Sequence, residues 1–194
     1  MSYVDLHVHS NASDGTLSPE QVVRLAHEAG LSAIALTDHD TTAGVAGAAE
    51  AGAELGLEVV PGIEVSSSFR DHEIHILGLF VDTDSPSLQA ALKEFRHHRD
   101  QRNQEMLGRF DAHGIHLTAE DLCAGNPDTV ITRAHVARAL LAKGLGPDLD
   151  HIFQEISEVR RHILPAQGIS APGGSHGSAL RQPCLCGPSP SLPV

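Results

Sequence analysis

The stretch VDLHVHSNASDG, residues 4–15, combines a strand pattern with a cluster of polar side chains. Successive side chains of a strand point to opposite faces, so Asp5, His7 and His9 share one face and aliphatic residues alternate with them on the other. Asp14 follows in a turn before Gly15, where aspartate is common for purely conformational reasons. Taken alone, the stretch is compatible with a metal site or with a polar strand end that runs into a turn.

The sequence after this stretch alternates between helical and strand patterns. Ser18, Pro19 and Gln21 form a helix start with a capping box, and Gly30 is a suitable helix stop. The predicted elements that follow are a strand at 31–37, an alanine-rich helix at 43–55 that closes at Gly56, a strand region at 57–67 broken by Pro61-Gly62, and a strand at 73–81. This alternation predicts an α/β fold with a parallel sheet or barrel.

The pattern changes at residue 85. Residues 85–113 read as one long helix, capped by Ser85 and stopped by Gly114, and shorter helices follow near 118–123 and 132–143. We interpret these helices as a lobe inserted into the α/β body. The middle of the long helix, RHHRDQRNQ, shows no apolar face. It is either a solvated helix face or a guide for phosphate or an oligonucleotide.

Three units are therefore predicted: 1–84 as the first part of the barrel, 85–159 as the helical lobe, and 160–194 as an irregular tail. The tail is rich in proline and glycine, contains no acidic residue and offers no periodic apolar face. Such a composition predicts disorder or an aberrant ending.

Charge and composition restrict the class of protein. The first 84 residues hold fourteen acidic residues and two basic ones, so phosphate would be attracted there only if bound cations inverted the local charge. No apolar run is long enough for a membrane span, and no secretory signal is recognisable. The three cysteines form no disulfide framework, which favours a cytoplasmic location.

Candidate metal ligands recur along the α/β part of the chain. Each has a plain alternative as a turn, capping, surface or core residue, but together they fall at or near successive strand ends, which converge at one mouth in barrel-like folds. Imidazole and carboxylate without thiolate suit Mn²⁺, Zn²⁺ or Fe²⁺, and more than four donors exceed one tetrahedral site. Asp5, Asp38 and Asp40 are predicted to orient the imidazoles. The candidate ligands are His7, His9, Asp14, His39, Glu64 and His75.

Four segments carry a family resemblance: DLHVHSNASDG, TDHD, PGIEVS and HEIHILG. In this order they resemble the N-terminal motifs of the polymerase and histidinol phosphatase (PHP) superfamily, and TRAHVARAL resembles the inserted lobe of its small bacterial phosphoesterases. That branch includes the 3′,5′-nucleoside bisphosphate phosphatases and a 5′-to-3′ exoribonuclease. The resemblance implies a distorted seven-stranded (β/α) TIM-like barrel, of which about four N-terminal strands are present here.

The resemblance also implies a function. It implies a phosphoesterase that holds up to three divalent ions, with Mn²⁺ first and Zn²⁺, Fe²⁺ or Mg²⁺ as alternatives, and that hydrolyses phosphate esters by a metal-bound hydroxide. Asp14 and His39 are implied to be catalytic as well as ligating, while Arg133 and His135 hold the substrate phosphate. The implied substrate is a small phosphorylated nucleotide or a short RNA 5′ end, without sequence-specific nucleic-acid binding.

Two other functions stay open at this point. One is a histidinol-phosphate type of phosphatase, and the other is a catalytically silent metal-binding or accessory domain. The family supplies a further histidine and an Asp-x-His pair from late strands, and this sequence has neither motif, since His162 and His176 lie in the patternless tail. We therefore expect a truncated or out-of-frame ending and little activity of this chain by itself.

Overall fold

The structure is a computed structural model that describes residues 3–70, 72–123 and 126–152. The predicted tail at 160–194, with His162 and His176, lies outside the described residues. Within them, no helix is long and apolar enough to span a membrane. The elements in chain order are β1 (Tyr3–Val8), α1 (Pro19–Glu28), β2 (Leu31–Leu36), α2 (Val45–Leu55), β3 (Glu58–Phe69), β4 (His72–Leu79), α3 (Pro86–Ala112), α4 (Ala119–Cys123) and α5 (Arg133–Ala142).

The helix boundaries follow the predicted capping residues. The Ser18 hydroxyl accepts the Gln21 backbone N–H at 3.3 Å, and the Gln21 side chain accepts the Ser18 N–H at 2.9 Å, which completes the capping box of α1. Gly56 adopts a left-handed φ of +70° at the end of α2. Only glycine takes this conformation without a steric cost, so local sequence determines where this helix stops.

The four strands form one curled sheet in the order β1-β2-β3-β4. β1, β2 and β3 pair in parallel, whereas β3 and β4 pair antiparallel. Helices α1 and α2 pack on the sheet through a buried cluster that includes Val23, Ile34 and Leu36. The predicted fold class, a partial α/β barrel with a helical lobe, is confirmed.

The predicted break of the third strand at Pro61-Gly62 is wrong. β3 runs without interruption for 12 residues, and Pro61-Gly62 marks the point where its pairing changes. Residues 58–61 pair with β2, and residues 62–69 pair with β4. A Cβ at Gly62 would lie 2.7 Å from the Thr37 side chain and 2.8 Å from the Leu36 carbonyl oxygen, so this close approach requires glycine.

The expectation that the fourth strand also ends at the common mouth is wrong. β4 is antiparallel to β3, and His75 lies inside the strand, opposite Ser66. Its side chain reaches the site across the strand pair rather than from a strand terminus. The alternation of strands and helices stops at β3, because β4 is the next element in the chain and no helix lies between them.

Helix α3 joins two hydrophobic clusters. Leu88 and Leu92 pack with Ile63 and Val81 of the barrel part, and further along α3 Met106 belongs to the core of the lobe. That lobe core also contains residues of α4 and α5. The lobe is therefore attached to the sheet by a continuous helix that is buried at both ends.

The polar middle of α3 is not simply a solvated face. Arg99 is 9% exposed and Asn103 is 5% exposed, and both lie on the same helix face as Leu92 and Met106. Arg96, His97 and His98 are exposed, as expected for a solvated helix face. One polar face of α3 is thus buried where Arg99 contacts Asp40 and Ser66.

Candidate metal centre

Glu64 lies at the centre of the predicted ligand set. Its backbone is fixed to the loop after β2, because the Glu64 N–H donates to Asp38 O at 3.1 Å and the Asp40 N–H donates to Glu64 O at 2.9 Å. Its carboxylate oxygens lie 2.9 Å from His7 Nε2, 3.0 Å from His9 Nε2 and 2.7 Å from His75 Nδ1. One buried carboxylate therefore faces imidazoles from two other strands.

Asp14 forms a second centre next to Glu64. Its carboxylate oxygens lie 3.1 Å from His9 Nδ1 and 3.3 Å from His39 Nε2. The latter nitrogen is also 3.6 Å from a Glu64 oxygen. His9 and His39 consequently stand between the two carboxylates and link them.

The six predicted ligands come together as three overlapping groups. In each group the candidate ligand atoms lie within 4.8 Å of one another, which is a spacing that one cation can span. The donors are nitrogen and carboxylate oxygen, the set that suits Mn²⁺, Zn²⁺ or Fe²⁺. The residues present thus fit divalent cations. The groups are His7–His9–Glu64, His9–Asp14–His39 and His39–Glu64–His75.

Burial is graded across the cluster. Glu64 and His39 are 4% and 8% exposed, whereas half of the His7 side chain is open to solvent. The cluster therefore has a closed inner side, formed by β2 and β3, and an open outer side at β1. The side at β1 and the pocket that Asp14, His39 and His75 line are both open to small molecules.

The electrostatics of the cluster favour ionised carboxylates. Burial by itself raises the pKa of Asp14, but hydrogen bonds with His39 and His9 outweigh this effect and hold that pKa well below its usual range. For Glu64, burial is again opposed and outweighed by interactions with His7, His39 and His75, so its pKa is lowered. Burial lowers the pKa of His9, yet its hydrogen bond and charge interaction with Asp14 raise it overall. Both carboxylates are therefore ionised at neutral pH and give the cluster a negative charge that attracts cations.

No direct bond from Asp38 or Asp40 to an imidazole is present among the described residues, so their predicted role in orienting the rings stays a prediction. Asp38 accepts hydrogen bonds from Ser10 and Ser13, in the loop that carries Asp14. Asp40 forms an ion pair with Arg99 and accepts the Ser66 N–H at 2.8 Å. The His39 Nδ1 atom, between these two aspartates in sequence, is buried and has no hydrogen-bond partner among the described residues. The two aspartates hold loops and strands in place, and Asp38 is linked to one ring through Ser13, whose hydroxyl lies 3.4 Å from His9 Nδ1.

Arg133 lines a pocket of about 150 Å³ between the cluster and the lobe. Cationic groups from α3 and α5 face metal-ligand candidates across this space. The residues that line it include no phenylalanine, tyrosine or tryptophan. The lining residues are Asp14, His39, Ser66, His75, Arg99, Arg102, Thr132, Arg133 and Ala134.

His135 has a defined local role. Its Nδ1 accepts the Thr132 N–H at 3.0 Å, which completes the capping box of α5. Burial and the nearby positive charge of Arg138 lower the pKa of His135 to about 4. The ring is therefore neutral with its proton on Nε2. Its contact with a substrate phosphate stays a prediction, since it does not line the pocket.

Sequence reasoning missed the residues that support the cluster. Ser10 and Ser13 are completely buried, although serine in a turn usually signals a solvated loop. Arg99 was placed in a basic stretch without being distinguished from its exposed neighbours. The available signal was spacing: Arg99 continues the series of buried positions on α3 at intervals of three and four residues.

Comparisons with known proteins agree with this architecture. A curled α/β sheet that brings imidazole and carboxylate donors together is typical of barrel proteins that bind divalent cations. The family model described as the PHP domain matches residues 5–166. The chain therefore belongs to the PHP domain family, and the predicted resemblance is confirmed.

Several named proteins are similar to this chain and indicate which part of the family it resembles. The chain is 39% identical over 169 residues to a 3′,5′-nucleoside bisphosphate phosphatase of Chromobacterium violaceum, covering 86% of this chain and 57% of that protein. It is 38% identical over 156 residues to the 5′-3′ exoribonuclease Rnm of Escherichia coli, covering 78% and 52%. The structure resembles that of a candidate metal-dependent phosphoesterase from Bifidobacterium adolescentis with a TM-score of 0.78, 31% identity and coverage of 87% and 60%. The chain spans about half the length of the curated relatives it matches.

Proposed function

We propose that this chain carries the metal-binding half of a phosphoesterase that acts on phosphate esters of small nucleotides. The observation that carries the proposal is the juxtaposition of three overlapping His/carboxylate groups with a pocket lined by arginines. Cations and arginines on two sides of one pocket suit a substrate with concentrated negative charge. The names of the matched relatives, a bisphosphate phosphatase and an exoribonuclease, support this substrate class.

The chain's own residues have distinct parts in this proposal. Divalent cations would supply Lewis acidity and lower the pKa of water at the site. Glu64 and Asp14 provide the negative charge that attracts cations into the cluster, and the four histidines complete the donor set. We propose Mn²⁺ as the first metal, because the donors include no thiolate.

The arginines of the pocket are proposed to bind phosphate. Arg133 and Arg102 come from different helices and line the same space opposite Asp14 and His75. A guanidinium group binds phosphate through two parallel hydrogen bonds, which fixes its orientation. A group held there would leave a second phosphate ester facing the cluster. A bisphosphorylated nucleotide therefore fits the pocket better than a monophosphate.

Recognition of a base sequence is not part of the proposal. Sequence-specific binding of single-stranded RNA relies on bases that stack on aromatic side chains. The residues that line the pocket include no phenylalanine, tyrosine or tryptophan. We propose that the charge of the phosphates, rather than the identity of the base, determines which substrates bind.

Metal titration of the full 194-residue chain tests the first part of the proposal. Isothermal titration with Mn²⁺ should show binding that Glu64→Gln weakens at least about tenfold, because this substitution removes the charge shared by two ligand groups. Glu58→Gln is the matched control, since Glu58 lies on the same strand and is exposed. Equal binding by the wild-type chain and Glu64→Gln would contradict the metal site.

A substrate comparison tests the second part. Phosphate release from adenosine 3′,5′-bisphosphate and from AMP should be measured with Mn²⁺ in a chain that includes the late strands. Arg133→Ala should reduce the preference for the bisphosphate by about 1.5–3 kcal/mol, the value of a hydrogen bond to a charged group. Arg96→Ala, on the exposed face of α3, should keep it. An equal loss on both substrates would show that Arg133 does not bind the second phosphate.

A further inference from the structure

The loop that carries Asp14 is held from two sides. On the barrel side, Asp38 accepts the Ser10 N–H at 2.8 Å and the Ser10 and Ser13 hydroxyls at 2.6 Å each. These bonds fix the first part of the loop to the segment that follows β2. They do not contact Asp14 itself.

On the other side, the helical lobe binds four successive carbonyl groups of this loop. Their donors are Asn126 Nδ2 to Asn11 O at 2.7 Å, Val130 N to Ala12 O at 2.9 Å, Thr129 Oγ1 to Ser13 O at 2.8 Å, and Arg138 Nη1 to Asp14 O at 3.0 Å. All four donors belong to residues 126–138, more than 100 positions later in the chain. The carbonyls of residues 11–14 thus depend on the lobe for these bonds.

This arrangement distinguishes the lobe from a cover that only closes over a pocket. Backbone carbonyls removed from water need partners, and a turn cannot supply them to itself as a helix does. Movement of the lobe away from the loop would break four hydrogen bonds at once. The backbone that places the Asp14 carboxylate would then lose the lobe's share of its support and keep the bonds to Asp38, while Glu64, on a strand, would keep all of its own.

We propose that segment 126–138 positions Asp14, with Arg138 as the principal positioning residue, so that cation binding by His9, Asp14 and His39 depends on the docked lobe. The inference rests on the metal site of the proposed function. Arg138 is singled out because it alone donates a charge-assisted hydrogen bond, and because it binds the carbonyl of Asp14 itself. By linkage, a cation held at Asp14 also favours the docked lobe.

Four substitutions in the full chain test this dependence. Arg138→Met removes the donor but keeps the aliphatic length, and Arg138→Lys restores a cationic donor. Thr129→Val removes one loop contact without changing the side-chain shape. Lys143→Met is the matched control, since Lys143 binds Asp121 within the lobe, at 3.1 Å, and touches no loop carbonyl.

The readouts are Mn²⁺ titration and the visible absorption spectrum of bound Co²⁺. We expect Arg138→Met to weaken cation binding at the His9–Asp14–His39 group by about 10- to 100-fold, the range for residues that support metal ligands. The same substitution should change the spectrum of bound Co²⁺. Arg138→Lys should recover part of the loss, and Thr129→Val should show a smaller loss. Lys143→Met should bind as the wild type does. Hydrogen exchange at residues 10–15 of the metal-free protein should rise in Arg138→Met and Thr129→Val but not in Lys143→Met.

Two failures are distinguishable. If the wild-type chain binds neither Mn²⁺ nor Co²⁺, the proposed metal site is wrong and the inference falls with it. Suppose instead that the wild type binds both ions, and that Arg138→Met and Thr129→Val bind them as tightly as the wild type with unchanged hydrogen exchange at residues 10–15. In that case only the inference is overturned. Should Arg138→Met fail to fold, Thr129→Val still decides, because it alters no charge and no volume.

Discussion

The two buried aspartates that flank His39 are stabilised in different ways. Asp38 and Asp40 flank this histidine, and each is only 2% exposed. Asp38 is surrounded by neutral donors, namely two serine hydroxyls and a backbone N–H. Asp40 is paired with the guanidinium group of Arg99, which comes from α3, 59 positions away in the chain. One carboxylate is stabilised by many small contacts and the other mainly by one charged partner.

This difference indicates how each region should respond to mutation. Several neutral hydrogen bonds share the stabilisation, so the loss of one leaves the others in place. An ion pair that has left water behaves differently, because loss of one partner leaves an uncompensated buried charge. Loss of Arg99, which lies in the lobe, should therefore lower stability more than loss of any single contact to Asp38 does.

The largest expected effect follows from breaking the ion pair. Arg99→Met should lower the free energy of unfolding by about 3–5 kcal/mol, the cost of leaving a buried charge unpaired. Urea denaturation followed by circular dichroism measures this change. Arg96→Met, at an exposed position one turn earlier, should change stability by less than about 0.5 kcal/mol.

A double substitution sharpens the same test. Asp40→Asn combined with Arg99→Met removes both charges and should recover a large part of the loss, because no uncompensated charge remains. If Arg99→Met alone is as stable as the wild type, the ion pair does not hold the lobe to the barrel. If the double variant is less stable than Arg99→Met, the cost does not come from the unpaired carboxylate.

A smaller effect is expected on the other side of His39. Asp38→Asn keeps the side-chain shape but replaces one accepting oxygen by an NH₂ group that faces hydrogen-bond donors. It should cost about 1.5–3 kcal/mol, the range for a lost hydrogen bond to a charged group. The same denaturation experiment applies, and a cost as large as that of Arg99→Met would remove the distinction between the two sides.

Much of the fold and of the cluster is predictable from sequence because local signals specify it. Capping residues place α1 and α5, and glycines in left-handed conformations end helices. The six ligand candidates follow from residue type within or close to the predicted strands, and the structure brings all six together. These features depend on residues that are close together in the sequence, so local patterns are sufficient to predict them.

The rest depends on contacts between distant parts of the chain. The antiparallel direction of β4 is determined by its pairing with the second half of β3, and the strand pattern of its residues is the same in either direction. The burial of Arg99 depends on a carboxylate from another element. The four carbonyl contacts to the Asp14 loop come from residues whose types, asparagine, threonine, valine and arginine, carry no special signal. No local pattern encodes such pairings.

The pH dependence of stability tests a third buried polar group, which resembles Asp38 in having a neutral partner. His135 has a pKa of about 4 in the folded chain, against 6.5 for an exposed histidine. Between pH 6.5 and 4 the unfolded chain binds a proton that the folded chain does not, so the free energy of unfolding falls as the pH falls. We expect a loss of about 1–3 kcal/mol across this range.

A matched variant isolates this contribution. His135→Gln keeps a side-chain acceptor for the capping box but cannot titrate. Urea denaturation at a series of pH values should show a wild type that loses stability relative to His135→Gln below pH 6.5 and a constant difference above it. Parallel curves across the whole range would mean that His135 does not titrate below its usual pKa.

The smallest expected effect concerns a neutral contact on the charged side of His39. The Ser66 hydroxyl accepts a hydrogen bond from Arg99 at 2.8 Å, next to the ion pair with Asp40. Ser66→Ala should cost about 0.5–1.5 kcal/mol, since the ion pair itself remains. Ser32→Ala removes one exposed hydrogen bond, from the Ser32 hydroxyl to Tyr3 O at 3.1 Å, and should cost less than this because water can replace the bond. In the Arg99→Met background Ser66→Ala should cost almost nothing, because the donor is already absent, and a double-mutant cycle measures this coupling. Equal costs in both backgrounds would show that Ser66 acts independently of Arg99, and that the charged side, like the neutral side, is stabilised by separate small contacts.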